Sequence, residues 1–338
     1  MRFLRRFASR IMVAAAAVGF VAYQLLAPYG SLAKPVFIDF PKGTTTRQIA
    51  VSLAGAGVIR HSWTFLIARI LRPGATLQAG EYRFQGSDSA WDIYGRIARG
   101  DIFYYELKVP EGRNMFDIAA AVERLGLFPA ADFLAAARNP SLIRDLDPEA
   151  PSLEGYLFPD TYRLGSRTTP ESLCRLMTDR FRTVWSSLHT DAPVHRTVTL
   201  ASLVEKEGKL ADERPIIAAV FTRRLSIGMK LDCDPTTIYA ALLEGGFDGA
   251  IHKSDLASDN AYNTYQHAGL PPGPIANPGL ASIQAALHPA NADYLYFVAR
   301  ADGSGGHNFS NTLAAHNGNV ASYRRAAARQ TRPPAASR

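Results

Sequence analysis

Cysteine is scarce: Cys174 and Cys233 are the two in 338 residues. They stand far apart, and neither has the short spacing of a metal-ligating pair, so a disulfide-stapled scaffold and a cysteine-built zinc site are excluded. Pairing of the two with each other in an oxidising compartment stays open, because sequence does not show that their backbones approach. No glycine-rich phosphate loop precedes a helix, and no Ser–His–Asp signature is present. His307 and His316 lack a third ligand at a recognisable spacing, so neither a metal nor any other cofactor is expected.

Acidic residues are missing from both ends. Arg2, Arg5, Arg6 and Arg10 open the chain, and Arg324, Arg325, Arg329, Arg332 and Arg338 close it, with no Asp or Glu among them. Those nine account for the formal charge of +7, since the remainder holds 28 Lys and Arg against 30 Asp and Glu. A nearly neutral body carries no electrostatic footprint for nucleic acid, which is excluded as a partner. At 47% hydrophobic residues the chain is long enough for two domains, or one large one, with a real core.

One long apolar run exists. Ile11–Ala27 is seventeen uncharged, mostly apolar residues preceded by the four arginines. It is near the lower limit for a membrane-spanning helix, and the positive flank leaves everything after Lys34 outside the cytoplasm. An uncleaved anchor is the expectation. A signal peptide cut at "SLAK" (Ser31 to Lys34) is the alternative. The closing "RRAAARQTRPPAASR" is too rich in Pro, Ala and Arg to build a core and is expected to be disordered.

After the anchor a weak repeat appears. "FPKGTTTRQIAVSLAGAGVI" (Phe40 to Ile59) matches "VPEGRNMFDIAAAVERLGLF" (Val109 to Phe128) at one constant offset, through Pro41 and Pro110, Gly43 and Gly112, Ile49 and Ile118, Gly57 and Gly126. Each copy reads as a strand end, a turn and an amphipathic helix closed by glycine. "AGEYRF" (Ala79 to Phe84) alternates like a strand, and "SAWDIYGRIARG" (Ser89 to Gly100) reads as a short helix. Units of this kind resemble the LysM-like module of cell-wall proteins; a spacer domain that binds nothing is the alternative.

From Leu153 the texture changes. "EGYLFPDTYRL" (Glu154 to Leu164) reads as a packed turn or loop before a helix over 170–188, whose Leu173, Leu176, Met177, Phe181, Val184 and Trp185 form an apolar stripe. In "VTLASLVEKEGK" (Val198 to Lys209), Leu200, Leu203, Val204 and Glu207 follow the i, i+3, i+4, i+7 pattern of one helix face. Glu205 stands roughly 200° away, toward solvent or another wall. A carboxyl ending an apolar stripe is partly desolvated, holds its proton near neutral pH and suits a general acid. The alternative is a glutamate at a frayed helix end, paired with Lys206 or Arg214. Farther on, Asp212 and Glu213 precede a helix opened by Pro215, Asp234 and Pro235 make a turn feeding another helix, and "AYNTYQHAGLPPGPIANPG" (Ala261 to Gly279) reads as an extended, proline-stiffened loop. The rings and amides of Tyr262, Asn263, Thr264, Tyr265 and Gln266 suit a sugar, and a purely structural loop is the alternative. "DYLYFVAR" (Asp293 to Arg300) is a strand signal, followed by a glycine-rich turn over 301–320.

Taken in order, "EGYLFPDTY", "LASLVEKE", "FTRRLSIGMKLDCDPTTIY", "YNTYQHAGLPPGPIANPG", "ALHPANADYLYFVA" and "GGHNFSNTLAAHN" resemble the endolytic murein transglycosylase (YceG-like) family over about 37–323. In that family the second glutamate of "EKE" is catalytic, which maps onto Glu207; Gly208 departs mildly from the small polar or alanine residue usual there. The resemblance implies an α+β chain: a cytoplasmic basic end (1–10), a transmembrane anchor (11–33), a LysM-like module and repeat region (34–148), a catalytic domain (149–323) and a disordered basic tail (324–338). It implies a single-pass protein of the inner membrane with its body in the periplasm. The implied reaction is cleavage of the β-1,4 bond between MurNAc and GlcNAc within peptidoglycan strands, leaving 1,6-anhydro ends, beside peptidoglycan synthases such as penicillin-binding proteins. Asp234, Tyr262, Asn263, Tyr265, His307 and Asn317 are the residues expected to shape the sugar groove or support Glu207. A hydrolase of the same bond would need a second carboxylate, Glu205 or Asp234. A non-catalytic, membrane-tethered wall-binding scaffold is the other alternative.

Overall fold

The computed structural model describes residues 2–330, which form an α+β chain dividing into two compact units, 2–105 with Arg163–Arg167 and Glu106–Tyr162 with 168–330. The division falls at Tyr105/Glu106, ahead of the expected 148/149, so the two copies of the repeat belong to different units.

In the first unit, helix α1 (Arg2–Leu26) is followed by strand β1 (Tyr29–Phe40), helices α2 (Thr46–Gly55) and α3 (Ser62–Leu71), strand β2 (Gly80–Asp88) and helix α4 (Ala90–Arg99). Residues 6–26 of α1 are long and apolar enough to cross a membrane, and most of them are exposed. The helix stops at Leu26, short of the expected 33, because Pro28 lacks the N–H a continuing helix would need, and residues 29–33 enter β1. β1 and β2 pair antiparallel, with Val36 opposite Phe84 and Ile38 opposite Tyr82. Their inner face packs on Leu53, Phe65, Tyr94 and Ile97 from the helices, and Leu25 of α1 joins the same core. Ser89 caps α4 by accepting the Asp92 N–H, and Gly100 closes it in the left-handed region.

The second unit opens within strand β3 (Tyr105–Lys108) and runs through α5 (Met115–Arg124), α6 (Ala130–Ala137), the first two residues of strand β4 (Thr161–Leu164), α7 (Pro170–Ser187), α8 (Val194–Glu207), α9 (Arg214–Ser226), α10 (Asp234–Glu244), α11 (Lys253–Ala257) and α12 (Leu280–Leu287). A β-hairpin of β5 (Tyr296–Ala299) and β6 (His307–Ser310) follows, then α13 (Leu313–Gln330). The repeat reading holds locally: α2 and α5 are both opened by capping boxes, Thr45 with Gln48 and Asn114 with Asp117, and Gly57 and Gly126 after them share φ of +70°, where a side chain would be strained. α5 belongs to the second unit because Met115, Ile118, Ala119 and Val122 are buried and the Met115 N–H donates to Glu154.

Three expectations are corrected. Leu176 is exposed while Leu173, Met177, Phe181, Val184 and Trp185 are buried; at 100° per residue the buried arc of α7 runs from Leu173 to Thr178, and Leu176 falls about 60° outside it. The region 301–320 is a turn only at its start, since 307–310 form β6 and His316 and Asn317 lie on α13. Residues 324–330, placed in a disordered tail, continue α13, as the good helix propensity of Ala and Arg permits; residues 331–338 of that tail lie outside the described residues.

Candidate active site

Helix α8 is buried on every side from Thr197 to Val204, so the single apolar stripe understated it: this is a core helix wedged against α9, α10 and α12. Ile275, from the proline-rich segment, donates its N–H to Ser202 Oγ (3.1 Å). The helix ends at Glu207, three residues beyond the last fully buried one, Val204, and its two terminal glutamates enter separate environments.

Glu205 meets another protein wall. Its carboxylate is 5% exposed and pairs with Arg214 (3.2 Å), itself 13% exposed, while Oε2 accepts the Gly279 N–H (3.0 Å). Gly208 makes this pairing possible. A Cβ there would stand 2.9 Å from Arg214 Cγ and 3.0 Å from the Val204 carbonyl oxygen, and the Gly208 carbonyl accepts from Arg214 Nε (3.2 Å). A glycine at 208 therefore makes room for the arginine that holds Glu205.

Glu207 lines a cleft of about 510 Å³, together with Asp232, Cys233, Asp234, Tyr265, Tyr296, His307, His316 and Asn317 among others. Burial pushes its carboxyl pKa up; the Cys233 thiol, donating to Oε1 at 3.3 Å, pulls the other way, and the nearby Asp234 adds to the rise. Burial and the adjacent Glu207 charge push the Cys233 thiol well up, so it stays protonated and acts as the donor. Cys174 and Cys233 are both free. Asp234 begins α10, and its Oδ1 accepts from the Tyr265 hydroxyl (2.6 Å). Burial first, then that bond, raises the Tyr265 pKa, which keeps the phenol a donor.

His307 is fixed from behind. Nδ1 lies 2.8 Å from Glu213 Oε2, and the His307 backbone N–H donates to the same carboxylate (3.0 Å). Glu213 is buried and also accepts from Arg300 (3.2 Å). That pairing aims Nδ1 at the carboxylate and leaves Nε2 for the cleft. His316 stacks on Tyr296 (5.2 Å between ring centroids), and burial, then Arg224, lowers its pKa.

Of the residues expected to form the groove, Glu207, Asp234, Tyr265, His307 and Asn317 share the cleft. Tyr262 and Asn263 do not line it. Tyr262 packs on Tyr239 (5.1 Å). Asn263 is fully buried: its Nδ2 donates to the carbonyls of Asp255, Leu256 and Ser258, and its Oδ1 accepts from Thr237 Oγ1 and the Tyr265 N–H. Its amide matches backbone groups of its own loop, and so it holds Tyr265 in place.

Sequence reasoning missed Cys233, Arg224 and the role of Glu213. Arg224 is buried and donates to the carbonyls of Leu295 (2.7 Å), Lys230 (3.1 Å) and Leu231 (2.9 Å), which holds the strand-like approach to Asp232 and Cys233. Asp232 itself has φ of +49°, a left-handed conformation that Asp tolerates better than most side chains. The paired arginines 223 and 224 gave no sign of which one turns inward.

The site sits within a chain whose relatives are recognisable. A model of the YceG-like family matches residues 38–322. An endolytic murein transglycosylase of Bacillus subtilis is 33% identical over 303 residues, covering 83% of each chain. One from Streptococcus pneumoniae is 31% identical over 326 residues, covering 86% of this chain and 58% of its own. The crystal structure of a putative yceG-like protein from Listeria monocytogenes aligns with a TM-score of 0.54 at 30% identity, over 84% of this chain and 99% of that one. With most of its length matched by the family model, and with relatives above 30% identity covering most of the same stretch, this chain belongs to the YceG-like family.

Proposed function

We propose that the protein is a lytic transglycosylase that cleaves the MurNAc-β-1,4-GlcNAc bond inside peptidoglycan strands and leaves 1,6-anhydro-MurNAc ends. The observation that carries this is the environment of Glu207: a desolvated carboxyl, hydrogen-bonded by a thiol, on the wall of a cleft lined by polar and apolar side chains alike. Such a group holds its proton until the glycosidic oxygen can take it. Glu207 protonates the leaving oxygen, positive charge develops at the anomeric carbon, and the resulting carboxylate accepts the proton of the sugar's own C6 hydroxyl as that oxygen closes on C1. The nucleophile is intramolecular, so orientation supplies much of the rate. Tyr265, Asp234 and Asn317 supply hydrogen-bonding groups for sugar hydroxyls. A hydrolytic route needs a second carboxylate to activate water. Glu205 is committed to Arg214 and Gly279, and Asp232 pairs with Arg224, which leaves Asp234 as the candidate.

α1 is read as a retained anchor in the inner membrane, with the body on the periplasmic side, where strands are extended by synthases. Leu25 supports retention, because it is 5% exposed within the core of the first unit, and a cut near Ala33 would remove it and the first residues of β1. The first unit, with α2, α3 and α4 against a two-stranded sheet, is the LysM-like module of this reading.

The test is mass spectrometry of peptidoglycan incubated with the full chain in detergent and with its Glu207→Gln variant. Anhydro ends from the wild type alone are expected. Reducing ends would show that water attacks, and new ends from the variant would remove Glu207 from the chemistry.

A further inference from the structure

Helix α3 has an unusual outer face. Thr64, Phe65 and Ala68 are buried in the core of the first unit. On the opposite side Trp63, Leu66, Ile67 and Ile70 fall within about a 100° arc that holds no charged residue; Trp63, Leu66 and Ile67 are half-buried, the last two against the edge of the core that includes Leu25 of α1. Ile70 is 73% exposed and the neighbouring Leu71 is 58% exposed. A helix that is apolar both toward its core and away from it is built to be covered on both sides.

The outer face is continuous with α1. Val18, Val21 and Leu25 of α1, Ile67 and Leu71 of α3 and Trp91 of α4 line one groove of about 560 Å³ whose walls are apolar throughout. Only Ala27 and Pro28 separate α1 from β1, and Leu25 is part of the module core, so the module has no tether on which to move off the end of α1. If residues 6–26 fill a hydrocarbon layer about 30 Å thick, Val18 lies about 12 Å inside Leu26 along the helix axis. The groove it shares with Ile67 and Leu71 then opens within the outer half of the bilayer. Residues suited to the headgroup level are present as well. The Arg72 guanidinium lies 3.7 Å over the Trp91 ring and that of Arg60 lies 5.0 Å over Tyr29, pairings of aromatic ring and cation that suit a membrane–water interface.

We propose that α3 and Trp91 form a membrane-embedded shoulder beside the anchor, and that lipid acyl chains of the outer leaflet fill the groove between α1 and α3. The proposal rests on the reading of α1 as a retained anchor. The outward face of α3 then belongs to lipid, and any glycan contact of the module has to come from another surface. Continuity with the spanning helix selects lipid over a second copy of the chain.

The test uses the full chain in vesicles of phosphatidylcholine and phosphatidylglycerol carrying a nitroxide lipid, labelled either near the headgroup or deep in the acyl chain. Trp63→Phe and Trp185→Phe leave Trp91 as the single tryptophan. Its emission is expected to be quenched by the shallow nitroxide more than by the deep one, and Ile70→Glu with Leu71→Glu should relieve that quenching. A parallel chain with Trp91→Phe and Phe20→Trp reports the anchor alone, through the deep nitroxide. Quenching at position 20 without quenching of Trp91 would overturn the proposal and leave the anchor standing, with protein such as a second α1 covering the groove. No quenching at either position would overturn the anchor and the proposal together.

Discussion

Exchanging Cys233 for alanine and for serine should move the pH profile of cleavage in opposite directions. In the proposed reaction Glu207 must enter protonated, so kcat/KM falls on the alkaline side as its carboxyl ionises. The Cys233 thiol donates to Oε1 at 3.3 Å, and a donor to a carboxyl oxygen favours the ionised form. Taking that thiol bond as about 1 kcal/mol, its loss in Cys233→Ala raises the Glu207 pKa by about 0.7 units, at 1.4 kcal/mol per unit. The alkaline limb moves up by the same amount. A hydroxyl is a stronger donor to a charged oxygen, about 2 kcal/mol, so Cys233→Ser moves the limb down by about 0.7 units. Release of soluble products from peptidoglycan, followed by mass spectrometry across the pH range, reads both shifts. If the two variants displace the limb in the same direction, packing at position 233 is the cause, and the thiol is no donor to the acid.

Three other outcomes follow from the second unit. Glu205→Ala leaves the Gly279 N–H without its partner and leaves Arg214 with only the longer pair to Glu111 (3.6 Å) and the Gly208 carbonyl, and should cost about 2–3 kcal/mol in chemical denaturation, toward the cost of breaking a buried pair; a change below about 1 kcal/mol would mean Glu111 or water takes over from the carboxylate. Glu154 is fully buried, accepts from the Met115 N–H and Asn277 Nδ2 (2.8 Å each), and is pushed up to about 8 by burial. Its folded value lies above its unfolded value near 4.5, so the stability it confers is complete below about pH 4.5 and is lost as pH rises toward about 8, by a few kcal/mol. Melting temperature should fall over that window in the wild type and stay flatter in Glu154→Gln; a flat wild-type profile would refute this. Asn263→Ala should lower melting temperature by several degrees through its lost backbone bonds, whereas Tyr265→Phe should leave melting nearly unchanged and lower cleavage; equal effects on both readouts in both variants would contradict the division between loop staple and cleft wall.

Glu207 was legible because helical periodicity converts sequence spacing into direction, and Leu200, Leu203 and Val204 lie on its side of α8. The same arithmetic set Glu205 apart without naming its partner, since Arg214 and Gly279 reach it from other elements. Asn263 shows the limit more sharply. An amide beside tyrosines in a polar loop has the composition of a sugar site, and equally of a loop that binds its own carbonyls; which of the two holds depends on Asp255 and Ser258 folding back over it. Cys233, Arg224 and Glu213 were invisible for the same reason, as their roles are defined by groups far away in sequence. Local order fared better. The capping boxes of α2 and α5 and the glycines after them need only near neighbours, and those elements stand where the repeat put them, while assignment of the second copy to the second unit required the contact of Met115 with Glu154.

The two glutamates at the end of α8 explain why one acid can serve the proposed reaction. They share a helix turn, yet Glu205 is bound by an arginine and a backbone N–H, and Glu207 by a thiol alone in a desolvated position. The first arrangement stabilises a carboxylate, and the second leaves burial to dominate and keeps the proton on. Had Arg214 reached Glu207, the acid would have been lost to an ion pair. The small volume of Gly208 admits Arg214 beside the helix end, where it pairs with Glu205. Replacing that glycine with a larger residue would therefore disturb the helix-end ion pair first, and the acid only through it.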